Sequence, residues 1–342
     1  MFQSFTVTNF GSFANLNWQK YSNFNVIIGE NDTGKTYLLK ILYTFAKSVE
    51  EYSKRQLSDK PTFSQVLAHK LYWVFQPENG LGDLVKKGNQ QLEIKVKYCH
   101  QDYSFSLDNN ATKTINQILG TPLLANEINS IFIPPKEVLT GFDAISAIYE
   151  QLKIFGFDDT YQDLIKALRL PVCQEEINPE LLKIAQELET IYQGKIVYKK
   201  QQFIFQQNNE NYGMFQTAEG IKKMSIISIL IRNQMIKEKT ILFFDEPEVN
   251  LHPFALQSML KCLFKLSQIG VNIYLATHSY TVLKQLEILA KKYQQDLNLC
   301  SLIKTDKITA YFSNLLEGMP DNPILEASLK LYEEDVKLEL EA

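Results

Sequence analysis

The spacing of apolar positions changes several times along the chain, and each change marks a new element. Between residues 2 and 9 apolar and polar residues partly alternate, and Gly11 turns the chain. Asn25-Val26-Ile27-Ile28 then forms a short apolar run of the kind that makes a buried strand. From about Thr36 the period lengthens, with Leu38, Leu39, Leu42 and Phe45 on one helical face. A polar stretch occupies residues 53–60. Leu92, Ile94, Val96 and Tyr98 alternate, and Tyr103, Phe105 and Leu107 alternate again after His100-Gln101-Asp102, which predicts a hairpin.

Ser130-Ile131-Phe132-Ile133 is another buried strand, stopped by Pro134-Pro135. Helical spacing then covers about residues 142–192, through Ile145, Ile148, Tyr149 and Leu152 and again through Leu181, Leu182, Ile184, Leu188 and Ile191, predicting an inserted helical lobe. A second hairpin is expected over residues 195–206. Beyond it come a helix near Ala218, a strand at 240–244, a helix at 253–267, a strand at 271–276 and a helix at 280–292, the alternation of a parallel α/β sheet. Two weaker strands near 299–303 and 307–312 and a charged amphipathic helix after Pro323 close the pattern. The Tyr332-Glu333-Glu334-Asp335 run reads as a solvated helix face.

Composition narrows the class without naming a function. The 342 residues, 45% of them apolar and 22% charged, suit one large folded domain or two smaller ones. A net charge of −4 supplies no general basic field for nucleic acid. The four cysteines (Cys99, Cys173, Cys262, Cys300) form no CxxC pair, against a zinc site or a disulfide framework and in favour of a reducing cytoplasm. The first ten residues do not resemble a signal peptide, and no apolar run approaches the ~18 residues that span a bilayer.

Chemistry concentrates at strand ends. Gly29-Glu30-Asn31-Asp32-Thr33-Gly34-Lys35-Thr36 fits G-x-x-x-x-G-K-[ST] between a predicted strand and a predicted helix. Glycines let backbone amides turn toward phosphate oxygens, and the helix amino end adds partial positive charge. Lys35 would reach the β- and γ-phosphates of ATP, and the Thr36 hydroxyl would ligate Mg²⁺. Ile241-Leu242-Phe243-Phe244-Asp245-Glu246 is an apolar strand ending in two acids, a costly arrangement unless a cation is near. Asp245 would hold Mg²⁺ and Glu246 would act as general base toward water. The strand at 271–276 leads into Thr277-His278-Ser279, placing His278 at a carboxyl edge as a γ-phosphate contact.

These stretches resemble the ABC-type ATPases of the SMC, RecF and OLD group, often called AAA-family ATP-binding proteins. Val7-Thr8-Asn9-Phe10-Gly11-Ser12-Phe13 looks like that group's opening strand, and the P-loop carries its preferred Asn31. Phe244-Asp245-Glu246-Pro247-Glu248-Val249-Asn250-Leu251-His252-Pro253 is similar to its Walker B and D-loop, and Ala276-Thr277-His278-Ser279 to its switch histidine. The resemblance implies an α/β P-loop NTPase fold with a mixed sheet, an antiparallel β-subdomain and an inserted helical lobe. The expected divisions are 1–135, 136–210 for the lobe, and 211–342.

It also implies a signature motif that reaches the partner's γ-phosphate across an ATP-dependent homodimer. Thr217-Ala218-Glu219-Gly220-Ile221-Lys222-Lys223 occupies that place, with Thr217 for the usual serine and Gly220 as its glycine; Asn250 of the D-loop would join them. As a bland alternative the same stretch is an ordinary helix cap. Two segments compete for the Q-loop: residues 131–137, with Glu137 taking the water and metal role, and Val74-Phe75-Gln76, which has the glutamine but comes early.

With no long heptads, a chromosome-scale SMC rod is not expected. About sixty residues follow His278, too few for the Toprim nuclease of OLD proteins. The leading expectation is a slow ATPase switch controlling a separately encoded effector, as in antiphage or toxin-like modules. A RecF-like DNA clamp is the alternative, with either Lys195, Lys199 and Lys200 or Lys222 and Lys223 as a local basic strip. A transporter ATPase ranks last.

Overall fold

The computed structural model describes residues 1–54, 61–123, 128–147, 155–171 and 176–341. The expected helical positions Ile148, Tyr149 and Leu152, most of the polar stretch at 53–60, and Cys173 lie outside the described residues.

The strands that carry the chemistry form a six-stranded sheet. In spatial order it runs β14 (Ile308–Asn314), β13 (Asn298–Lys304), β3 (Phe24–Gly29), β12 (Asn272–Thr277), β11 (Ile241–Asp245) and β7 (Ser130–Ile133). All neighbouring pairs are parallel except β13 with β14. Burial on both faces explains why these strands read as apolar runs with no alternation. Successive side chains still point to opposite faces. Phe24, Val26, Ile28, Leu242, Phe244, Ile273 and Leu275 enter one core; Ile27, Ile241, Phe243, Tyr274 and Ala276 enter the other.

The second core lies against helix α1 (Lys35–Ser53) and a five-stranded antiparallel sheet, ordered β2 (Phe13–Trp18), β1 (Phe2–Phe10), β4 (Gln91–Tyr98), β5 (Gln101–Asp108) and β6 (Gln117–Leu119). Its helix α2 (Phe63–Phe75) opens on a capping box between Thr62 and Gln65. No element was expected there.

The first core carries α6 (Glu219–Arg232), α7 (Pro253–Gln268) and α8 (Tyr280–Tyr293) with the lobe helices α3 (Phe142–Ala147), α4 (Asp159–Arg169) and α5 (Pro179–Ile191). A three-stranded sheet of β8 (Lys195–Lys199), β9 (Gln202–Gln207) and β10 (Glu210–Gly213) joins this core through Ile196, Phe203 and Phe205. The last helix, α9 (Pro323–Glu341), is anchored at Ile324 and exposes Leu329, Tyr332, Leu338 and Leu340.

Charge fixes the lobe to the P-loop helix. Lys70 of α2 is 3% exposed, and its ammonium stands 2.8 Å from Glu51 of α1 and 2.9 Å from both Asp159 and Asp163 of α4. Lys40 pairs with Asp158 at 2.7 Å, and the Tyr43 hydroxyl donates to Asp163 at 2.5 Å. Burial alone would raise the Asp163 carboxyl, but the Lys70 ammonium overcomes it and holds the group down at about 2. Removing one member of a buried ion cluster strands the others. Lys70→Met is therefore expected to lower the urea midpoint by the equivalent of about 3–5 kcal/mol; a loss below about 1 kcal/mol, the scale of an exposed pair, would show that the cluster does not hold α4 in place.

Candidate nucleotide site

Parallel pairing brings the site together. Ile28 of β3 lies in register with Thr277 of β12, and Ala276 of β12 with Asp245 of β11, so three strands end side by side. The P-loop leaves β3, Glu246 leaves β11 and His278 leaves β12 at this one carboxyl edge, where open α/β sheets bind ligands.

Helix α1 begins at Gly34, which has a left-handed backbone (φ 84°), and no side chain caps its first amides. A Cβ on Gly34 would stand 2.8 Å from the Phe13 ring, so only glycine lets the loop rest on the β1–β2 turn. The amino end of α1 is thus open to an anion. Lys35 lies over the loop and donates to the carbonyls of Gly29 (2.9 Å) and Glu30 (2.8 Å). Burial pushes its ammonium below the ordinary lysine value, and the charges of Glu246, Asp245, Glu248 and Glu30 work against that shift. Thr33 is buried and donates to the Glu30 carbonyl, while Glu30, Asn31 and Asp32 face solvent, with the Asp32 carboxylate on Lys304 of β13 at 2.5 Å.

Thr36 Oγ1 donates to Asp245 Oδ2 at 2.8 Å, across 209 residues of sequence. Asp245 is 1% exposed, and its Oδ1 is buried with no hydrogen-bond partner. Burial raises its carboxyl to about 6; the Thr36 hydrogen bond and Lys35 and Lys40 pull the other way, and Glu246 adds to the rise. An orphaned buried carboxylate oxygen beside a hydroxyl whose proton is already committed is a hard-oxygen donor set, and it fits Mg²⁺. A cleft of about 490 Å³ opens above, lined by Asn31, Asp32, Lys35, Thr36, Tyr37 and Glu246 with Gly11 and Ser12 of the β1–β2 turn.

Glu246 adopts a left-handed backbone (φ 47°), rare for a side-chain-bearing residue and typical of functional turns. Its Oε1 is 3.2 Å from His278 Nδ1. The two residues expected to share the chemistry therefore meet.

Thr217, Gly220 and Asn250 converge on a second edge. A Cβ on Gly220 would stand 3.2 Å from Leu251 and 3.3 Å from the Asn250 carbonyl, so α6 starts hard against the turn that follows β11. Thr217 is turned inward: its hydroxyl donates to the Gly213 carbonyl at 3.0 Å, and α6 begins two residues later without a side-chain cap. Glu137 likewise does not join Thr36 and Asp245. Its carboxylate accepts from the amides of Leu139 (2.6 Å) and Thr140 (3.1 Å) and pairs with Lys222 at 3.5 Å. Gln76 ends α2 and donates to Phe157 of the lobe. Among the described residues no group of three His, Cys, Asp or Glu side chains forms a metal cluster.

Two lysines expected in a basic strip are core residues instead. Lys222 spends its ammonium on Thr140, Glu219 and Glu137. Lys223 is 2% exposed and donates to the carbonyls of Glu246 (2.7 Å), Val249 (3.3 Å) and Pro135 (3.4 Å). Burial lowers its ammonium to about 8, against the pull of Glu248, Glu246 and Asp245. Ser12, Glu248 and Lys223 were quoted within motif stretches without a role at this site, and Tyr37 was not singled out. The only sequence signal for Lys223 was a charge inside the apolar spacing of a helix.

Two family models cover overlapping parts of the chain: "AAA ATPase domain" matches residues 1–168, and "AAA domain, putative AbiEii toxin, Type IV TA system" matches residues 128–284. An uncharacterized protein of Methanocaldococcus jannaschii is 27% identical over 131 residues, which are 38% of this chain and 54% of that protein. The Old nuclease of Escherichia phage P2 is 43% identical over 47 residues, 14% of this chain and 8% of the nuclease. The chain thus matches about half the length of one curated relative and a small part of the other. A crystal structure of an Smc head bound to the C-winged helix domain of ScpA superposes with a TM-score of 0.55 at 11% identity, covering 93% of this chain and 99% of that one, a likeness of fold.

Asp245 generates a prediction with a defined sign. Its folded pKa lies above the unfolded value, so its stabilising contribution is complete below about pH 4 and is lost as pH rises through about 6. Asp245→Asn is expected to raise the melting temperature of the nucleotide-free protein at pH 7 by several degrees, at about 2–4 °C per kcal/mol. The difference should shrink toward pH 4, and a melting temperature unchanged or lowered at pH 7 would refute the assignment.

Proposed function

We propose that the chain is an ABC-type ATPase of the SMC/RecF/OLD-like group, a slow ATP switch whose two active sites close between two copies. The observation that carries this reading is the meeting of Lys35, the Thr36–Asp245 pair and the Glu246–His278 pair at one sheet edge.

In this reading the open amides of α1 and the Lys35 ammonium bind the β- and γ-phosphates of ATP, and Lys35 exchanges its loop carbonyls for phosphate oxygens. Thr36 and Asp245 hold Mg²⁺. When bound, the ion neutralises phosphate charge and polarises the terminal phosphoryl group. Glu246 orients the attacking water and takes its proton, and His278 stabilises the γ-phosphate.

The second copy supplies the edge formed by Thr217, Gly220 and Asn250. Phe215 (88% exposed) and Phe254 (75% exposed) flank that edge, apolar surface that favours being covered. With the Thr217 hydroxyl committed to Gly213, this edge offers helix amides without a side-chain hydroxyl, in keeping with slow turnover. Control of a separately encoded effector, in antiphage defence or a toxin-like module, is supported by the toxin wording of one matching family and by the short match to a phage nuclease. Among the described residues no helix is long and apolar enough to cross a membrane.

A second reading, an ATP-dependent DNA clamp, rests on three exposed lysines of one hairpin, Lys195 at the start of β8 and Lys199 and Lys200 at the β8–β9 turn. Salt-sensitive duplex binding that requires ATP would favour it; no binding at low salt would remove it.

Glu246→Gln is expected to cut ATP hydrolysis roughly 100-fold or more, as loss of a general base does, and to shift the protein to a dimer in gel filtration with ATP and Mg²⁺. Adding Phe254→Ser should abolish the shift while ATP binding persists. A Glu246→Gln protein that binds ATP yet stays monomeric would overturn the two-copy site.

A further inference from the structure

Glu248 has no role in the scheme above, yet it contacts both Thr277 and His278 at the end of β12. Its Oε1 accepts from Thr277 Oγ1 at 2.6 Å and from the His278 backbone amide at 3.3 Å. The same oxygen stands 3.7 Å from His278 Nδ1, which also faces Glu246 Oε1 at 3.2 Å. One carboxylate thus grips the backbone of His278 and fronts its ring. Oε2 of Glu248 is buried without a hydrogen-bond partner, an uncommon state for a carboxylate, which shows that the side chain is not placed to satisfy its own hydrogen bonds.

Ionised carboxylates only accept hydrogen bonds. Two acceptors facing Nδ1, at 3.2 Å and 3.7 Å, favour the Nδ1–H form of the neutral imidazole and leave Nε2 the nitrogen farther from the acids. An imidazole free in water prefers the opposite tautomer. We propose that Glu248 is a positioning residue: it anchors Thr277 and His278 at the end of β12 and, with Glu246, fixes the tautomer and direction of the His278 ring so that Nε2 is presented to the γ-phosphate. Glu248 acts through His278, and the value of this for turnover rests on the ATPase reading above. The ring state itself does not.

The experiment is nitrogen-15 NMR of the full chain labelled at histidine, without nucleotide and at a pH where the ring is neutral, with His278 assigned by its loss in His278→Ala. The wild type is expected to show the Nδ1–H form. Glu248→Ala should shift the signal toward Nε2–H or tautomer averaging, and Glu248→Gln, whose amide oxygen can still accept from Thr277 and the His278 amide, should restore most of the wild-type signal. In steady-state hydrolysis Glu248→Ala should lower kcat about tenfold with KM for ATP within about twofold, and the glutamine variant should recover most of the rate. A wild-type Nε2–H ring, or an unchanged ring signal in a folded Glu248→Ala protein, would overturn the proposal. So would a raised KM at constant kcat. Should the wild type prove inactive toward ATP, the ATPase reading fails while the ring signal still judges Glu248.

Discussion

Asp245 is a carboxylate at the end of an otherwise apolar strand, buried with one oxygen on Thr36 and the other on nothing. Burial of an ionised group without full compensation is costly, and the cost appears here as a carboxyl raised to about 6. Every other element of the site is arranged around that unfavourable charge. The P-loop brings Thr36 and Lys35 to it from a strand two places away in the sheet, and the amino end of α1 adds its partial charge beside them. Keeping such a group sacrifices stability in the free state; in the proposed ATP site a bound cation and phosphates would restore it, tying ligand binding to folding free energy.

A second constraint couples this half-site to the face that would meet another copy. The turn from Glu246 to Asn250 begins and ends on left-handed residues, a strained path that persists only if its surroundings hold it. Lys223 holds it from the α6 side by the carbonyls of Glu246 and Val249, and Glu248 holds it from the β12 side through Thr277 and His278. Lys223 and the packing of Gly220 on Asn250 and Leu251 together tie α6 to this turn. The lobe is connected separately, through the ion cluster around Lys70 that joins α1, α2 and α4.

The strand-end acids, the glycine loop and His278 were legible because each combines a local pattern with a residue type that pattern does not otherwise tolerate. Helix α2 was not legible: its residues are apolar nearly all round, and its start is marked by a Thr62–Gln65 box rather than by periodicity. Lys222 and Lys223 misled in the opposite direction. Adjacent lysines suggest a solvated basic strip, and nothing local says that the helix carrying them lies against the sheet edge with carbonyls facing inward. Glu137 and Thr217 are held locally for a similar reason, since amides and carbonyls of their own turns reach them.

By itself the sequence determined the class of fold and the chemical inventory: apolar runs that had to be buried parallel strands, and a loop and acids whose types and order specify phosphate and cation binding. Which of those groups act on one another was settled only by tertiary structure. The pairing of Thr36 with Asp245, of His278 with Glu246 and Glu248, and of Lys223 with the turn after β11 depends on strand register and on the approach of α6. Those are properties of contacts far apart in sequence, where packing and burial, rather than local pattern, choose the partner of each charge.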